Sequence, residues 1–136
     1  MANKNDVLIL ADSNVYIDLL RAGRDPAEVL IRDYGAVDLV TCGIVKLEVL
    51  RGIKVRKAFE LLRQFFSVQQ FVDSDFGLWE EATDLARTLA RAGATLPAPD
   101  LIIAVSAFRT GASVLTADKH FSLIPNLPVI QSPYHP

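Results

Sequence analysis

Short apolar runs of strand length recur along this chain, each followed by residues that start a helix. That alternation restricts the fold more than any other feature. Val7-Leu-Ile-Leu-Ala11 is apolar throughout, as expected of a parallel strand covered on both faces. It breaks at Asp12-Ser-Asn14, three helix-capping side chains, and a helical stretch to about Arg21 follows. Asp25-Pro-Ala-Glu28 carries an N-cap, a proline at N1 and a glutamate at N3, the pattern of a capping box. Val37 to Thr41 reads as a second strand, with helices from about Gly43 to Arg51 and Val55 to Phe66 behind it. Val68 to Val72 alternates like a third strand.

Asp73-Ser-Asp75 then caps a long helix that ends at Gly93. Its Trp79, Ala82, Leu85, Ala86 and Leu89 are spaced for one buried face, and Trp79 is expected in the core. Leu101 to Phe108 is apolar almost all round, so this helix is expected to be central. Ser113 to Thr116 is the fourth strand, and Pro128 to Gln131 a fifth. Repeated strand–helix alternation gives an α/β fold: a three-layer α/β/α arrangement with a central parallel sheet of four to five strands and right-handed crossovers. At 136 residues, with no internal repeat or low-complexity linker, the chain has the size of one domain, expected to span residues 1–136.

Composition narrows the possible functions. Apolar residues make up 51% of the chain and charged residues 22%, enough to bury a core. Fourteen Lys and Arg against sixteen Asp and Glu give a net charge of −2, which excludes the strongly basic surface of an architectural nucleic-acid binder. The charge is uneven, however. Lys46, Arg51, Lys54, Arg56, Lys57 and Arg63 face only Glu48 and Glu60 between Lys46 and Arg63, a local net of +4. Such a strip suits a polyanion, although a solvated helix face is the commoner explanation. The single Cys42 excludes an internal disulfide framework and any multi-cysteine metal site; a small buried residue at a strand end is expected there. No apolar run is long enough to span a bilayer, and the polar N-terminus with its short apolar run does not fit a signal peptide. A cytoplasmic protein is expected.

In open parallel sheets, ligands bind beyond the carboxyl ends of the strands, at the switch point in strand order. Four acids fall near that edge. Asp12 directly follows the first strand, Glu48 lies on the helix after the second, Asp100 starts the apolar helix before the fourth, and Asp118 follows the fourth. Singly, each has an ordinary structural role: Asp12 and Asp100 as N-caps, Asp118 in an Asx-turn, Glu48 on a solvent-facing helix side. Together they repel one another, a cost that makes sense where a hard cation fills the gap. An all-oxygen set suits Mg²⁺ or Mn²⁺ rather than zinc.

Asp12-Ser-Asn-Val-Tyr-Ile-Asp18, Glu48 within Lys46-Leu-Glu-Val-Leu-Arg-Gly52, Asp100-Leu-Ile-Ile-Ala-Val105 and Thr116-Ala-Asp-Lys-His-Phe121 resemble the four motifs of PIN-domain nucleases, in that family's order and spacing. Leu123 to Ile130 is similar to its last loop and strand, so the resemblance covers essentially the whole chain. The compact length looks most like the VapC-type toxins of toxin–antitoxin pairs. Ser13 stands where threonine is frequent, and His120 where an acid is often found.

The resemblance implies an Mg²⁺- or Mn²⁺-dependent endoribonuclease giving a 5′-phosphate and a 3′-hydroxyl. Asp12, Asp100 and Asp118 would be principal metal ligands, and Glu48 would bind a second ion directly or through water. Ser13 and Thr116 would orient these carboxylates or contact phosphate. An RNA substrate, a cognate antitoxin and a homodimer are the partners it implies. His120 has no partner spaced for a metal pair, and His135 lies in a proline-flanked tail. Two other readings compete. One is a phospho-receiver module, with Asp73 as acceptor and Lys119 as its late lysine. The other is a PIN scaffold serving only as an interaction surface.

Overall fold

The structure is a computed structural model describing residues 7–136; the N-terminal residues weighed above as a signal segment lie outside the described residues. Five strands form one sheet: β1 (Ile9–Ala11), β2 (Leu39–Cys42), β3 (Gln70–Val72), β4 (Ser113–Thr116) and β5 (Val129–Gln131). All pairings are parallel, in the order β3-β2-β1-β4-β5. The strands are short, but β1, β2 and β4 are buried along their whole length, which is why they read as unbroken apolar or small-residue runs.

Six α-helices join them: α1 (Ser13–Arg21), α2 (Pro26–Tyr34), α3 (Gly43–Leu50), α4 (Arg56–Ser67), α5 (Phe76–Arg91) and α6 (Ala98–Thr110). Helices α1 to α4 serve the crossovers that step from β1 out to β3, and pack on one another. Helices α5 and α6 make the return to β4 and pack together, with α6 also against β2, β3 and β4. With right-handed crossovers, steps in opposite directions place helices on opposite faces, completing the three layers. The expected local signals operate. Asp25 Oδ1 accepts from the Ala27 amide to cap α2, Asp75 Oδ1 accepts from Leu78 to cap α5, and left-handed Gly111 ends α6. Ile102 to Ala107 of α6 are buried without a break, as its all-round apolarity requires.

Three expectations need correction. The second strand is Leu39–Cys42 rather than Val37–Thr41, because Ala36–Asp38 form a 3₁₀ turn that leaves Val37 exposed. Trp79 is 52% exposed rather than in the core. The buried face of α5 runs through Leu78, Ala82 and Leu89, and Trp79 lies about 100° round the helix from Leu78. The third strand is shorter than Val68–Val72, because α4 continues to Ser67 and Val68 caps it.

Candidate metal centre

The chain steps outward from β1 to β2 and β3, then returns to the other side of β1 for β4 and β5. The order therefore reverses between β1 and β4, and the crevice at their carboxyl ends is the position for a ligand. Asp12 extends β1 by one residue, its amide bonding to Leu115 O of β4 at 2.8 Å. Its side chain is almost completely buried. Oδ1 accepts from the Ser13 amide at 2.7 Å; Oδ2 accepts from Asn14 Nδ2 at 3.0 Å and Thr116 Oγ1 at 2.9 Å. Asp12 is thus both the cap of α1 and a carboxylate fixed at the crevice.

The remaining acids come from three other elements. Glu48, on α3, accepts from Ser13 Oγ at 3.0 Å. Asp118 follows β4; its amide donates to Thr116 Oγ1 at 2.9 Å, and its Oδ1 accepts from the His120 amide at 2.8 Å, the expected Asx-turn. Asp100 sits in the first turn of α6, but the N-cap position belongs to Pro97, so Asp100 is no cap. Its Oδ2 is buried and has no hydrogen-bond partner.

Electrostatics records the convergence. Burial is the main cause raising the pKa of Asp100 to about 6, with Asp12, Asp118 and Glu48 adding to the rise and His120 opposing it. Burial also raises that of Asp12, against the hydrogen bonds from Thr116 and Ser13, and Glu48 and Asp118 push it further. Asp12, Glu48 and Asp118 thus act on Asp100, and Glu48 and Asp118 on Asp12. The donor atoms that come within 4.8 Å of one another belong to Asp100, Asp118 and His120, and not to Asp12 or Glu48. Ser13 and Thr116 stand between the acids, one joining Asp12 to Glu48 and the other joining Asp12 to the Asp118 amide.

One neighbour is not evident from the sequence, and another is evident only in part. Asn14 was read only as a capping residue, yet its Nδ2 reaches Asp12 and Thr116 while its Oδ1 accepts from the Ala117 amide at 3.2 Å. It stitches the start of α1 to the end of β4, and its role follows from the adjacency of β1 and β4. His120, which the fourth motif places where an acid is often found, offers a ring nitrogen within 4.8 Å of oxygens from Asp100 and Asp118. The lone thiol is buried as expected, and burial pushes its pKa up.

The donor set fits a divalent cation. An orphaned, buried carboxylate oxygen beside further acids is a costly arrangement that a cation offsets. Topology argues equally against the receiver reading. That module carries its strands in the order 2-1-3-4-5, whereas β3 here is an edge strand and puts Asp73 two strands from Asp12.

Fold and site together define an α/β protein with an acidic centre at its switch point. The PIN domain model matches residues 9–127, and the chain belongs to the PIN domain family. No curated protein matches the chain. Among solved structures, the DNA-bound VapBC of Salmonella typhimurium is 19% identical with a TM-score of 0.74, covering 91% of this chain and 97% of its own. A toxin–antitoxin complex from Klebsiella pneumoniae is 23% identical with a TM-score of 0.71, covering 90% and 96%. The sarcin-ricin loop cleaving toxin VapC20 of Mycobacterium tuberculosis is 19% identical with a TM-score of 0.61, covering 84% and 92%. At these identities the likeness is one of fold.

Proposed function

We propose that the chain is a divalent-metal-dependent endoribonuclease, working as a single PIN domain and as the toxin of a toxin–antitoxin pair. The observation that carries the nuclease reading is Asp100, whose buried Oδ2 has no partner and whose charge is opposed by Asp12, Asp118 and Glu48. Asp12, Asp100 and Asp118 would hold Mg²⁺ or Mn²⁺, and Glu48 would bind a second ion directly or through water. A bound ion supplies a Lewis acid for a phosphoryl oxygen and makes a water acidic enough to attack phosphorus at neutral pH.

The protein supplies rigidity and charge. Thr116 and Asn14 hold Asp12 Oδ2 from one side, and Ser13 orients Glu48, so two acids keep fixed directions before RNA arrives. Water as the attacking group needs no side-chain nucleophile, and its attack with loss of the 3′ oxygen breaks the P–O3′ bond, leaving a 5′-phosphate and a 3′-hydroxyl.

Beside Glu48, a groove of about 280 Å³ between α1 and α3 is lined by Ile17, Leu20, Val49 and Ile53, with Arg21 at its side. It offers room for an extended segment leading to the acids. The similarity to toxins seen in complex with antitoxins supports an antitoxin partner and cytoplasmic action; among the described residues, no helix is long and apolar enough to cross a membrane. The same reading includes a homodimer, for which exposed Phe76, Trp79 and Phe108 on α5 and α6 offer apolar surface.

The test is cleavage of RNA by the purified chain in Mg²⁺ or Mn²⁺. Activity is expected to vanish in EDTA and to fall by about 100-fold or more in Asp100→Asn, by analogy with the loss of a charged active-site group. Undiminished cleavage in EDTA would reject the metal mechanism. A folded, metal-binding protein with no cleavage of any RNA offered would instead favour the interaction module.

A further inference from the structure

Asp100, Asp118 and His120 each present one donor atom, all within 4.8 Å of one another. Within that group, His120 Nδ1 lies 3.1 Å from Asp118 Oδ1. Two neighbouring ligands each about 2.1 Å from an octahedral ion are about 3.0 Å apart. The imidazole and the carboxylate therefore have the separation of adjacent positions around one cation.

The backbone holds the pair in register, because Asp118 Oδ1 also accepts from the His120 amide at 2.8 Å in the turn that begins the 3₁₀ segment Lys119–Leu123. Asp100, on α6, supplies the third donor, and its buried Oδ2 has no hydrogen-bond partner. The ring itself is 60% exposed in its side chain, so it swings onto a bound ion without disturbing the core.

We propose that His120 is a nitrogen ligand of the bound ion, turning an all-carboxylate centre into a mixed oxygen–nitrogen one. The inference rests on the metal-dependent reading above. Its consequence is selectivity. Mg²⁺ binds oxygen ligands and dehydrates reluctantly, whereas imidazole suits transition metals. This centre therefore prefers Mn²⁺ to Mg²⁺ more strongly than four carboxylates do.

The test uses the whole chain without RNA, with Mn²⁺ and Mg²⁺ as probes. Electron spin-echo modulation of bound Mn²⁺ reads directly coordinated nitrogen, and calorimetric titration gives both dissociation constants. Wild type is expected to show nitrogen modulation that disappears in His120→Asp and His120→Ala. The preference for Mn²⁺ over Mg²⁺ is expected to fall about tenfold in His120→Asp, where oxygen replaces nitrogen. Melting temperatures of the variants check that they remain folded. Mn²⁺ binding without nitrogen modulation, or an unchanged preference in His120→Asp, overturns the role of His120 and leaves the metal-dependent nuclease standing. Failure of wild type to bind either ion overturns both.

Discussion

Thr116 is the residue on which the most geometry depends. Its hydroxyl donates to Asp12, accepts from the Asp118 amide and lies 3.2 Å from Asn14 Nδ2, all from a fully buried position. Thr116→Val keeps the shape but leaves buried polar groups unmatched, which costs about 1–3 kcal/mol. Denaturant unfolding is expected to show that loss, and metal affinity to fall with it; stability within a few tenths of wild type would mean water replaces the hydroxyl. Asp100 carries the opposite sign. Its folded pKa of about 6 lies above the unfolded value of about 4. The native state therefore binds more protons, and this contribution to stability is complete below about pH 4 and lost as pH rises through 6. Metal-free protein is expected to melt lower at pH 7 than Asp100→Asn does, and Mn²⁺ to raise wild type more than the variant. Equal midpoints in EDTA and equal shifts with Mn²⁺ would remove Asp100 from the shared centre.

Helices α3 and α4 connect the centre to the basic strip. Glu48 lies on α3 near the acids, while Arg51, Lys54, Arg56 and Lys57, all exposed, follow on the α3–α4 turn and the first turn of α4. If they follow an RNA backbone, log affinity falls with log salt at about −0.7 per neutralised phosphate on a single strand. Replacing all four by Ala is expected to flatten that slope in a salt series of binding isotherms; an unchanged slope assigns the strip to solvent or to a protein partner. This scale also shows what the sequence made legible. Buried parallel strands announce themselves as continuous apolar runs, so β1, β2 and β4 were readable, as was the all-round apolar α6. The face of α5 was harder, since Leu78 and Trp79 differ by one step and only the packing of α6 decides between them. The four acids could be picked out because Asp12 and Asp118 follow strands, Asp100 lies in the first turn of α6 and Glu48 lies on the helix after β2; their role as ligands belongs to the proposal. The role of Asn14 was not legible, because Thr116 and Ala117 lie across the crevice, more than 100 positions away in sequence; His120 was legible only through Asp118, since Asp100 lies across the crevice too.

For the whole molecule, exposed Phe76, Trp79 and Phe108 leave apolar surface on the layer formed by α5 and α6. A homodimer that covers it is expected to sediment as a dimer at tens of micromolar and to dissociate on Trp79→Glu, since a buried unpaired charge is costly at an interface. A wild-type monomer at that concentration removes the homodimer from the proposal. The register of the sheet has a further consequence, and it concerns time. β1 finds its β4 partner, and Asp12 its Thr116 bond, 104 positions further along the chain. A ribosome delivering about 5–20 residues per second emits Asp12 and Glu48 many seconds before Asp118 exists. Until Thr116 and Asp118 are made, the nascent chain lacks both the last of the four acids and the strand that orients Asp12. On the proposed reading the centre cannot assemble before synthesis is nearly complete, and an antitoxin would have that interval in which to reach the chain first.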